Sequence, residues 1–357
     1  MFLTKNPMMK FKIFILWFLF FLISCKPRIF EVSKKYSIIV DTLLADQISI
    51  RAILIDQNKV WYAADKNRVG FYDLNTNIKS EHTLAKDSLS LEFRSIAQTA
   101  ESILVLSIAN PAVLFKINKK DLTVKLVYQE NNEKVFYDSM QFWNNQEGIA
   151  IGDPTNDCFS IITTRDGGDS WQKMTCDKLP KLAEGEAFFA ASNSNIVIKG
   201  LKTFIVSGGK KSRLYTSDDQ GVAWEVSDTP IVQGEAMTGI FSADFYDKKI
   251  GFAVGGNYEK QSDNTANKAI TLDGGKTWKL VAPNQSFGYA SCVQFMPNTK
   301  GKKLITSGPS GVFYSEDQGS NWEKIISDND LHTIRFQNDS TAFAAGKNKI
   351  IRIHFKK

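Results

Sequence analysis

The 357-residue chain is poor in several features, and each scarcity excludes a class of protein. Four cysteines are too few for a disulfide-stapled miniprotein. The three histidines, His82, His332 and His354, are not spaced for a metal or a haem. No Cys-x-x-Cys occurs, nor a Gly-x-Gly-x-x-Gly after a strand, so the common redox and dinucleotide signatures are missing. Neither sign of charge is in large excess, with 44 basic residues against 38 acidic. Long helical periodicity is missing too. What is present, from residue 36 onward, is short runs of Val, Ile, Phe, Thr and Tyr alternating with Gly, Asn and Asp turns. With 43% apolar and 23% charged residues, the chain reads as a globular all-β protein rather than a disordered or collagenous one.

Lys5, Lys10 and Lys12 precede an apolar run from Ile13 to Ile23, which is short for a bilayer span and has the form of a secretory signal. The run ends in Leu22-Ile23-Ser24-Cys25, which resembles the lipobox of bacterial lipoproteins. Cleavage would leave Cys25 as the first residue and the site of lipidation; the alternative is an uncleaved anchor. The expected organisation is a signal peptide over 1–24, a tether over 25–35 and one domain over 36–357. That places the protein in a bacterial cell envelope, lipid-anchored on the extracytoplasmic, periplasmic side of a membrane. Removing residues 1–24 removes three lysines and no acids, so the formal charge falls from +6 to 41 minus 38, or +3. The remaining lysines form no basic stripe, and nucleic acid is not an expected partner. Cys158 and Cys176 lie symmetrically about Gly167 and should face each other across a hairpin, as a disulfide or as two buried thiols. Cys292 reads as a small core residue.

Four segments share Ser/Thr-x-Asp-x-Gly-x-x-Trp, with anchors at Asp166 and Trp171, Asp219 and Trp224, Asp273 and Trp278, and Asp317 and Trp322. They resemble the Asp-box, or BNR repeat, of sialidases and related propellers. The Asp and hydroxyl oxygens can cap amides of the turn, Gly permits a positive φ, and Trp packs back onto the sheet. The reading is structural, neither catalytic nor calcium-binding. Degenerate copies around Asp73 and Asn118 precede them. The six anchors, at 73, 118, 166, 219, 273 and 317, are spaced by 45, 48, 53, 54 and 44 residues, the length of one propeller blade. A seventh repeat, Leu331 to Phe355, lacks its last strand, and Tyr36 to Val40 is an unassigned β run. The expectation is therefore a seven-bladed β-propeller, its ring closed by the N-terminal strand completing the C-terminal blade.

In that blade order the long loops Gly152–Asp157 and Gly255–Asn267 lie on the face opposite the Asp-boxes. Inner-strand positions Arg51, Arg94, Asp138, Glu186 and His332 should ring the channel mouth there, with Asp153 and Tyr258 supplied by the loops. Arginines can hold an anionic or peptide ligand as bidentate donors. The alternative is a set of polar residues bonded to one another and to channel water. Asp153, Asp157 and Asp263 lack the regular spacing of calcium ligands, and neither metal nor cofactor is assigned.

Phe93-Arg-Ser-Ile96, Ile151-Gly-Asp-Pro154, Gly185-Glu-Ala187 and the four boxes together resemble the photosystem II stability and assembly factor family, the Ycf48/HCF136-like proteins. The resemblance implies a non-enzymatic, monomeric propeller that binds a protein client, such as a nascent membrane protein, through a charged face. Two other classes compete. A sialidase-like glycoside hydrolase or carbohydrate-binding propeller could use Arg51, Arg94 and Arg335 as its arginine triad, Glu186 beside a tyrosine, and Asp138 or Asp153 as the acid, although the Phe-Arg-Ile-Pro signature is absent. An oxidoreductase is the third, with no cofactor motif to carry it.

Overall fold

The computed structural model describes residues 37–84 and 88–356. The signal, Cys25 and the tether lie outside them. Met1–Lys35 and Tyr36–Lys357 separate as two units, and only the second is described here. Among the described residues no helix is long and apolar enough to cross a membrane.

The second unit is an all-β propeller whose strands form six hydrogen-bonded sheets in a ring, which corrects the expected seven blades. Four sheets have four strands each, beginning at Phe93–Gln98, Tyr137–Phe142, Ile196–Lys199 and Cys292–Phe295. The other two have six. The residues counted as the first and the seventh blade are one continuous sheet, because Ser37–Asp56 is a single strand of 20 residues. Its sequence contains no Gly or Pro to punctuate it, only local register shifts near Ala45 and Ile50. Its first half pairs antiparallel with the 16-residue strand Thr341–Lys356, Ser37 opposite Lys356, while its second half pairs with Lys59–Ala64. The six-stranded sheet thus gives the channel two inner strands, Leu331–Phe336 and the end of Ser37–Asp56.

The apolar core lies between neighbouring sheets. Typical is the cluster of Leu104, Leu114, Met140, Ala150, Ile162 and Trp171, in which side chains from adjacent sheets interdigitate. Each box turn is closed locally. Thr164 Oγ1 accepts from the Gly168 amide at 2.9 Å and donates to Asp166 Oδ1 at 2.8 Å, and Asp166 accepts from Ser170 N at 3.0 Å. The same bonds recur at Ser217/Asp219, Thr271/Asp273 and Ser315/Asp317. Burial pulls the Asp166 carboxyl up, but the Ser170 and Thr164 bonds outweigh it and hold it at about 2. The glycine is required at Gly275, with φ +89, where a Cβ would lie 2.0 Å from Leu214 Cδ2. Trp171, Trp278 and Trp322 turn edge-on to Phe142, Phe245 and Phe252 at ring distances of 5.8, 6.1 and 5.8 Å, and Trp224 does the same to Phe159 at 6.2 Å.

Cys158 and Cys176 are joined in a disulfide, with Cα atoms 5.5 Å apart. Cys292 is free and buried.

Candidate functional site

The repeat breaks once on the inner ring. Where a full inner strand should run, Glu186–Ala187 instead joins the neighbouring sheet, pairing with Gly208–Gly209, and only Ile196–Lys199 remains as the inner strand of its own sheet. The residues between, Phe188 to Asn195, cross the channel. Asn193, with φ +54, accepts from Met140 N at 3.0 Å and Ser139 Oγ at 3.2 Å, and donates to Ile96 O at 2.8 Å. Ser192 donates to Ser291 O at 2.6 Å and Ser194 to Ser242 Oγ at 2.7 Å. Arg335 donates to the carbonyls of Ser192 at 2.8 Å and Asn193 at 3.0 Å, and Arg51 reaches Ala191 O at 3.4 Å. These partners sit on or beside inner strands of the other sheets, so the segment plugs the channel with most of its polar groups bonded, the buried Asn195 amide being the exception.

Above the plug lies a blind cavity of about 400 Å³. Its floor is Phe188 to Ala191, and its walls carry Phe136, Phe241, Tyr289, Arg51 and Arg94. The loops on this side bring Asp153, Met237 and Tyr258 to the rim. Four expected site residues, Arg51, Arg94, Asp153 and Tyr258, therefore meet at one place.

The other three do not line this cavity. Asp138 is wholly buried behind its wall, with no side-chain partner for either oxygen. Burial raises its carboxyl well above the ordinary range, the nearby Asp153 adds to the rise, and Arg94 and the Ala190 amide only partly oppose it. His332 borders an adjoining depression with Arg51, Lys66 and Lys347, and burial followed by the charges of Arg51 and Arg94 pushes it down to about 3, leaving it neutral. Glu186 departs furthest from the expected ring. Its side chain is fully buried and accepts from Nε and Nη2 of Arg213, from Tyr215 Oη at 2.7 Å, from Ser207 Oγ and from Ala183 N at 2.9 Å. It anchors the start of the plug and has no lone pair to spare for a ligand.

At Arg51 the cavity favours an anion. Arg94 is paired with Glu92 at 2.7 Å, but Arg51 has no carboxylate partner among the described residues, and its Nε is buried and unbonded. Burial, then Arg94, lowers the Arg51 pKa, yet a guanidinium keeps its proton in water. Asp153 accepts from Phe188 N at 2.8 Å, and burial pushes it up to about 6.

The arginine triad of a sialidase does not assemble. Arg335 lines a separate depression with Ile53, Gln98 and Asn193, below the plug, whereas Arg51 and Arg94 line the cavity above it. Tyrosine–glutamate pairs do exist, Tyr62–Glu81 at 2.6 Å, Tyr137–Glu130 at 2.8 Å and Tyr215–Glu186 at 2.7 Å. None of them is on the cavity wall, and burial raises each phenol, opposite to what a nucleophile needs.

The aromatic lining was missed in sequence because Phe136, Phe189 and Phe241 look like core positions. The available signal was local: Phe188-Phe-Ala-Ala-Ser-Asn-Ser-Asn195 interrupts the strand pattern with small and polar residues just where an inner strand is due.

No protein-family model and no curated protein matches the chain. Solved structures do. A YCF48 bound to a D1 peptide superposes with a TM-score of 0.64 at 13% identity, over 89% of this chain and 94% of that one. YCF48 from Cyanidioschyzon merolae gives 0.62 at 12%, over 89% and 98%. A GH74 xyloglucanase from Xanthomonas campestris gives 0.66 at 11%, over 88% of this chain and 53% of that one. At these identities the likeness is one of fold.

Proposed function

We propose that this protein is a lipid-anchored, non-enzymatic propeller that captures a protein partner at the blind cavity and the loops around it. The observation that carries this reading is the convergence of Arg51, Arg94, Asp153 and Tyr258 on a ring-lined hollow, on the side where the two long loops project. Such a hollow supplies what a partner site needs: aromatic anchoring surface, a desolvated charge, and a polar rim. The fold likeness to a YCF48 bound to a D1 peptide supports it, since a propeller of similar fold binds a peptide. The lipid anchor rests on the lysines, the apolar run and Cys25 of the N-terminal sequence. A glycosidase reading is not favoured, because the plug divides the residues it would need. The test is affinity capture from native membranes with the wild type and with Arg51→Gln/Arg94→Gln. The double variant is expected to fold and to lose the captured partner; capture undiminished in a folded variant would refute the site.

A further inference from the structure

We propose that the blind cavity is a binding site for an apolar, ring-bearing group that carries a single carboxylate. The rings come first. Phe189 and Phe241 stack with centroids 3.8 Å apart and planes 7° from parallel, and Tyr289 meets Phe241 edge-on at 4.7 Å. Tyr258 stands edge-on to Tyr289 at 5.2 Å and is 38% exposed, so the rings run from the floor to the rim. A hollow of about 400 Å³ walled in this way accepts one large apolar group.

The charge follows from which groups are already engaged. Arg94 is held by Glu92, Asp153 accepts an amide of the plug, and burial pushes the Asp138 carboxyl up and the His332 imidazole down, each away from its charged form. Among the described residues lining the cavity, Arg51 alone is a cation without a carboxylate partner, and its one side-chain hydrogen bond is a long one to Ala191 O. A half-buried guanidinium without a carboxylate forgoes a charge-assisted pair, and a carboxylate seated against its terminal nitrogens supplies one. A dianion such as a phosphate monoester would need a second free cation, and no lysine lines the cavity.

The same chemistry is carried by a free aryl-alkanoic acid or by neighbouring Phe and Glu side chains of a protein. The inference rests on the cavity of the proposed function but requires no protein partner, so the two can fail separately: loss of membrane capture leaves acid binding untouched, and the reverse.

The experiment is calorimetric or NMR titration of the full-length protein with 3-phenylpropanoate, with 3-phenylpropanamide, and with an end-blocked Gly-Phe-Glu-Gly peptide. Saturable binding of the acid or of the peptide is expected, the acid identifying a free ligand and the peptide a protein-borne one. The amide should bind about tenfold more weakly than the acid. Arg51→Gln should remove the preference for charge. Ala236→Trp, on an exposed rim residue, should block entry with the circular dichroism spectrum unchanged. The proposal is overturned if neither acid nor peptide binds, if the amide binds as tightly as the acid, or if Ala236→Trp keeps full binding.

Discussion

At one end of the sheets, four turns close with the same set of bonds: hydroxyl to aspartate, glycine amide to hydroxyl, tryptophan against the neighbouring rings. At the other end the loops differ, one inner strand is replaced by a plug, and buried ionisable groups are left unpaired. The hydrogen bonds that specify the turn end join residues two to four apart. The cavity end is specified by contacts such as Arg335 to Ser192 or Asn193 to Ile96, between residues far apart in the chain. The first kind of order repeats and stabilises; the second occurs once and makes a site.

The sharpest way to break this contrast is at the base of the plug. Glu186→Ala leaves Arg213 without its carboxylate in a site where the side chain is 16% exposed. A loss of about 3–5 kcal/mol is expected in urea denaturation, as for other broken buried pairs. A loss below about 1 kcal/mol would mean that the plug is not held there. Gly275→Val comes next, forcing a β-branched residue to φ +89 against Leu214, with an expected cost of roughly 2–4 kcal/mol and cavity binding unchanged. If ligand binding fell in step with that loss, the two ends would be coupled and the contrast would fail.

A smaller effect separates the ends by pH. Asp153 has a folded-state pKa of about 6, above the ordinary 3.8, because burial disfavours its charge. The folded protein therefore binds this proton more tightly than the unfolded chain, so stability rises as pH falls through 6 towards 4 and is lost as pH rises again. The span is roughly 2–3 kcal/mol. Asp153→Asn, which keeps the acceptor for Phe188 N, should flatten the slope in that window. The box carboxylates act in the opposite direction. Asp166 and Asp273 are held at about 2, so their contribution persists above the ordinary carboxylate range and is lost only as pH falls from about 4 towards 2.

The legibility of the sequence follows the same division. The box turns could be read because each needs a fixed residue type at a fixed offset, Gly275 for its φ and Asp273 for its amides. Counting them led to seven blades rather than six sheets, because hairpin turns mark where sheets end but not where strands fuse. Nothing between Ser37 and Asp56 announces that one strand serves two former repeats. At the cavity, Arg51, Arg94, Asp153 and Tyr258 were placed together by blade order alone. Glu186 was misplaced because the same order assumes an inner strand where the chain instead crosses to the next sheet. The aromatic walls stayed hidden because a ring that faces a hollow and a ring that faces a core have the same sequence signature.

The most direct test of a partner site at the cavity end is site-specific photo-crosslinking in native membranes. A photoreactive residue is placed at Tyr258 on the cavity rim or at Val222, 65% exposed in a box turn at the opposite end. The account predicts a discrete protein adduct from position 258, lost with Arg51→Gln/Arg94→Gln, and none from position 222. Adducts of equal yield from both positions, or from 222 alone, would contradict it.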